Sequence, residues 1–161
     1  MNHKAWIIIA KVMAVITGLY GVLLITTIAR DISMYNAHPE AYNNGLQGLL
    51  AAKSFEITFI LLSLLGAILF LFNSKIGWAM QAAMQVLFLV VIIASLSFAA
   101  GDNGKEGGAG LYAMAAIMLL LCLVGFMAIF SPAVRKRFNI TITHYLLSAV
   151  FAGLVIAAKY I

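Results

Sequence analysis

A chain of 161 residues that is 65% hydrophobic and only 9% charged, with a mean hydropathy of +1.08, lies far from the water-soluble class, in which about a quarter of residues are charged. Five long apolar runs take up nearly all of it, so one polytopic membrane domain is expected and no length remains for a separate soluble one. The net charge of +5 comes from Lys and Arg scattered between the runs without a basic face, which argues against a nucleic-acid partner and leaves the charge as an orientation signal.

Crossing a hydrocarbon core of roughly 30 Å takes about 20 helical residues. The first run, Trp6 to Ile28, is 23 residues long and is closed by Arg30 and Asp31 rather than by a small-residue cleavage site. It is longer than the ~7–15-residue core of a signal peptide, so it reads as a retained anchor spanning about residues 5–28. A polar segment from Arg30 to Lys53 follows, then a second span at about 54–72. The tight connection Asn73–Ile76 leads into a third span at about 77–99. The glycine-rich stretch Gly101–Gly110 has neither the spacing nor the preceding strand of a phosphate loop and reads as a mobile connector. A fourth span covers about 111–130, and the cluster Arg135-Lys136-Arg137 separates it from a fifth at about 142–160. The uninterrupted apolar core of that last run, Tyr145–Ala158, is only 14 residues, but Tyr145 and Tyr160 bracket it as interface anchors and Lys159 can snorkel outward. Lipid admits only helices or closed barrels, and no run alternates in polarity. The expected fold is all-α, a transmembrane bundle of five spans.

Placing the N-terminus in the cytoplasm puts Lys4, Lys11, Lys75, Arg135, Lys136 and Arg137 inside, against Arg30, Lys53, Lys105 and Lys159 outside. The short Asn73–Ile76 connection and the Arg135–Arg137 cluster are where the positive-inside rule acts most strongly. All five acids, Asp31, Glu40, Glu56, Asp102 and Glu106, then fall outside. The C-terminus is accordingly expected outside, and a bacterial inner (plasma) membrane is the expected location. A set orientation also excludes small exporters that pair in opposite directions.

Ionisable and amide groups within spans are candidate functional residues because lipid makes them costly. Lys11 sits about 9 Å along the helix axis from the inner end of the first span; it reads as a cation site or phosphate contact, or as a snorkelling side chain. Gln81 and Gln85 lie four apart, hence on one face of the third span beside Met80 and Met84. A polar contact of Lys11 with these amides is expected at similar depth, and helix–helix hydrogen bonding is the plainer reading. Glu56, three residues after Lys53, is placed to form an ion pair at the outer interface.

Catalytic and metal constellations are thin. His38 and Glu40 could give two ligands with Asp31 nearby, short of a defined metal site. No span carries a central histidine for haem, so no cofactor is expected. Ser63, Ser95, Ser97 and Ser148 have no acid or base beside them and read as hydroxyls bonded to their own helix backbone. The lone Cys122, within an apolar run, reads as a small buried hydrophobe.

What remains is packing. Ala14, Gly18 and Gly21 mark a small-residue face on the first span, and Ser148, Ala149, Ala152, Gly153 and Ala157 build a longer stripe on the fifth. Such stripes let helix backbones approach closely in lipid. The sequence therefore points to a non-catalytic subunit or interaction protein whose partners are the bilayer and other membrane subunits or further copies. Two alternatives stand behind it. One is an oligomeric channel or small-solute transporter lined by Lys11, Gln81, Gln85 or Glu56; the other is a membrane enzyme acting on a lipid or quinone through Asp31, His38, Glu40 and Asp102.

Overall fold

The structure, a computed structural model, describes residues 3–39, 45–101 and 109–160. All regular structure among them is helical: α1 (His3–Ala37), α2 (Gly45–Ala52), α3 (Ser54–Leu71), α4 (Lys75–Gly101), α5 (Ala109–Ile129), α6 (Pro132–Phe138) and α7 (Ile142–Ala157), the last continued by one 3-10 turn, Ala158–Tyr160. Helices α1, α3, α4 and α7 are each long and apolar enough to cross a membrane. A fifth is added if Ala116–Ile129 and Pro132–Phe138, bent by 49°, count as one span. The chain is an integral membrane protein by this measure.

The long helices run alternately up and down. At one end Asn73, between α3 and α4, meets Arg137 of α6; at the other, Lys53 before α3 meets Asp31 of α1. These are the Asn73 end and the Lys53 end. Helix α4 lies at the centre, packed against α3, α5 and α7. Its residues Gly77–Ala79 and Gln81–Gln85 are buried on every side, which alanines at positions 79, 82 and 83 permit by letting neighbouring backbones approach. Gly18 and Gly21 of α1 face α3, where a β-carbon on Gly18 would meet Ala67 at 3.0 Å and one on Gly21 would strike Ser63; Ala14, one turn earlier, is fully buried.

Turn chemistry explains the Asn73 end. Asn73 takes the left-handed conformation (φ 57°), and its N–H and that of Ser74 return to the carbonyls of Phe70 and Leu69, closing α3 as an asparagine can. Pro132 cannot donate to the preceding turn, so α5 stops and α6 starts, with Ser131 as N-cap accepting from the Val134 N–H at 3.3 Å and Pro132 in the first turn. Asn139, again left-handed, ends α6. The Thr141 N–H donates to His144 Nδ1 at 3.1 Å, capping α7. Aromatic rings fill the space beneath: Phe70 stacks on Phe138 at 4.7 Å, and Trp78 meets Phe130 and Tyr145 edge-on.

Three boundaries differ from expectation. Helix α1 does not stop at residue 28 but runs nine residues further, a rod of roughly 50 Å, and Asp31 on this extension pairs with Lys53. The expected outer loop contains the short helix α2. The basic cluster after the fourth run is itself the helix α6, with Ala133, Val134 and Phe138 turned inward. The last run is helical over its whole length, although its apolar core is short. Glu40, Asp102, Lys105, Glu106 and most of the glycine-rich stretch lie outside the described residues, as do the side chains of Ser95 and Ser97.

Candidate functional site

Gln81 and Gln85 point into the bundle from the central helix, at 0% and 1% exposure. Two glycines on neighbouring helices make room for them. A β-carbon on Gly66 of α3 would come 3.3 Å from Gln81 Nε2, and one on Gly125 of α5 would come 2.6 Å from Gln85 Oε1. Gln85 Nε2 donates to Thr17 Oγ1 of α1 at 3.5 Å, and the Thr17 hydroxyl donates in turn to the Met13 carbonyl at 2.8 Å. That chain orients the Gln85 amide. Because the threonine proton is committed to Met13, Thr17 accepts from the amide nitrogen, and Oε1 faces α5. Neither Gln85 Oε1 nor either polar atom of Gln81 has a hydrogen-bond partner among the described residues.

Lys11 does not join them. The amide contacts above leave no bond to an ammonium, so the expected Lys11–Gln81/Gln85 contact is not formed. One residue turns a helix by about 100°, and Lys11 follows Ala10, the fully buried face of α1. Its side chain therefore leaves the interface and lines a shallow apolar groove with Ile8, Val12, Val15, Ile16 and Leu71. Plain snorkelling along that groove accounts for this geometry.

At the Lys53 end the expected Lys53–Glu56 pair is present, 3.4 Å apart, and Asp31 adds a closer contact at 2.9 Å. The hydrogen bond that Lys53 donates to Asp31 raises the Lys53 amine above the usual lysine range. Glu56 adds to this, and partial loss of hydration works against it. Asp31 thus belongs to α1 and fastens it to the base of α3; it is not a loop residue beside His38. Ser54 Oγ, donating to the carbonyl of Ala158, fastens the end of α7 at the same place. Ser63 Oγ donates to Ile60 of its own helix, as expected of a span serine.

The stripe on α7 divides. Ser148 is buried and Ala152 half-buried, both toward the bundle, while Ala149, Gly153 and Ala157 face outward. The four polar candidates do not converge: Lys11 is in a lipid-facing groove, Gln81 is in the interior, Gln85 is buried at the floor of a gap between α1, α4 and α5, and Glu56 is at the Lys53 end. The residues missed at the sequence level are Thr17, Gly66 and Gly125. Their signal was faint: a buried glutamine needs space opposite it, and a glycine on a facing span supplies that, but pairing of the spans was not readable.

Comparison of the chain with family models, with curated proteins and with solved structures finds no match.

Proposed function

We propose that this protein is a non-catalytic integral membrane subunit that assembles, through the outward face of α7, with another membrane subunit or with further copies of itself. One contrast carries the reading. A β-carbon on any of the helix glycines Gly18, Gly21, Gly66, Gly77 or Gly125 would lie within 3.0 Å of a neighbouring atom in the chain, whereas one on Gly153 meets nothing within 4 Å. Glycine in a span is used where a second helix comes close, and around Gly153 the bundle supplies none. Ala149 and Ala157, one turn on either side, extend the same open face.

In this reading all five long helices cross the bilayer, with α5 and α6 forming one bent span. The N-terminus is cytoplasmic and the C-terminus outside, in a bacterial inner (plasma) membrane. The distribution of charge supports the orientation: Lys75, Arg135, Lys136 and Arg137 gather at the Asn73 end, and Asp31 and Glu56 lie at the Lys53 end.

The test is the mass of the complex extracted in lipid discs, comparing wild type with Gly153→Leu. The expected result is an assembly well above the 17.3 kDa chain that Gly153→Leu reduces to folded monomer. A wild type that is monomeric and without co-extracted subunits contradicts the reading.

A further inference from the structure

A second feature is independent of α7. A pocket of about 200 Å³ opens toward lipid between α1, α4 and α5. Its depth can be read from exposure. Gln85, Thr17, Met13 and Cys122 are buried and form the floor, while Ile16, Met118 and Leu121 are exposed and form the mouth. Tyr20 and Phe88, packed edge-to-face at 5.3 Å, close one wall. The lining is apolar apart from the polar groups on Thr17, Gln85 and Tyr20.

We propose that this pocket binds a membrane-soluble molecule carrying a hydroxyl or N–H donor on a compact apolar body, with the donor bonded to Gln85 Oε1. Three observations specify the ligand. The volume suits a single aromatic ring or a similar head, since an apolar cavity of about 150 Å³ can take up benzene. The mouth faces lipid, so the ligand arrives from the bilayer with any tail trailing outward. The floor holds an unpartnered acceptor, Gln85 Oε1, buried beside Gly125, while Nε2 has one of its two N–H groups directed to Thr17. A buried carbonyl left unbonded is costly, so a donor-bearing guest is favoured over an acyl chain that fills the same space. Gln81, equally unpartnered among the described residues, lines none of the cavities described.

The test uses radiolabelled 4-hexylphenol with the full chain in lipid discs, and hexylbenzene, which lacks the donor, as competitor. Wild type is expected to show saturable binding above empty discs. Gln85→Met, which keeps the bulk and removes the carbonyl, is expected to weaken it about tenfold, the ratio one hydrogen bond gives. Met118→Trp narrows the mouth from an exposed position that leaves the core intact, and is expected to weaken binding likewise. Gln81→Met is expected to bind as wild type, and hexylbenzene to compete at least about tenfold less well than unlabelled 4-hexylphenol. The proposal is overturned by absence of a saturable component in wild type, by unchanged binding in Gln85→Met or Met118→Trp, or by equal competition from hexylbenzene, which marks an apolar slot only.

Discussion

The indole Nε1 of Trp78 donates to the carbonyl oxygen of Ile129 at 3.0 Å, with both residues fully buried. This single bond repairs the break that Pro132 makes. A proline at the head of α6 ends the α5 ladder and leaves late carbonyls of α5 without helical donors. In lipid no water is available to serve them. Trp78, held edge-on against Phe130 and Tyr145, supplies the donor from the central helix.

Trp78→Phe keeps an aromatic ring at this buried position and removes that donor together with part of the ring. The expected cost is about 1–3 kcal/mol, the range for a buried carbonyl left unbonded. Reversible unfolding in mixed micelles measures it, with the exposed Phe72→Leu as a control expected to fall within about 0.5 kcal/mol of wild type. A loss no larger than that of the control removes the bond from the account.

The glycines give an ordered series. A β-carbon on Gly77 would overlap the backbone of Leu69 and Phe70 in the α3–α4 hairpin, where nothing flexible can yield. Gly77→Ala is therefore expected to destabilise by about 1–3 kcal/mol or more. Gly153→Ala, with open space around it, is expected to change the folding of the isolated chain by less than about 0.5 kcal/mol. The same micelle unfolding assay compares them, and equal losses at the two positions contradict the packing described.

Thr17 and Gln85 should behave with opposite sign. Thr17→Val leaves the Gln85 amide with no partner at either end and is expected to cost about 1–2 kcal/mol. Gln85→Met removes the whole unsatisfied group while filling its space, and is expected to be neutral or stabilising. A destabilised Gln85→Met shows that the amide is satisfied in the folded protein.

Lys53 links α1 to α3 through Asp31, and its amine is held above its ordinary value of 10.5. A group whose folded value is raised contributes stability that is complete below the unfolded value and is lost as pH climbs through the folded one. Stability is thus expected to be insensitive to this group near neutral pH and to fall above about pH 10.5. Lys53→Met is expected to cost about 0.5–1 kcal/mol at neutral pH, since these side chains keep a fifth to a third of their exposure. The variant is also expected to lose this alkaline step, which a pH series of unfolding measurements on both proteins checks.

How far the fold could be read from the chain follows from which interactions are local. Hydrophobic runs marked every long helix, and the i,i+3 spacing of Lys53 and Glu56 gave a pair that the structure contains. The Asp31–Lys53 contact on the extension of α1 is not legible in the sequence because it joins residues far apart in the chain. Lys11 and Gln81 were matched by depth alone; depth does not fix rotation about the helix axis, and Lys11 faces the other way. The α7 stripe was legible as small residues, but that Ser148 and Ala152 turn inward while Ala149 and Gly153 turn outward depends on where α3 and α4 sit.

The outward face of α7 is tested most directly by a photoactivatable side chain at Leu146, which is 63% exposed and about two turns before Gly153 on the same face, with Ile117 of α5, 58% exposed, as reference. Illumination of intact membranes is expected to join position 146 to protein, either a second copy or one defined subunit, in a product that Gly153→Leu abolishes, while position 117 labels lipid. Lipid labelling alone at both positions contradicts assembly through α7.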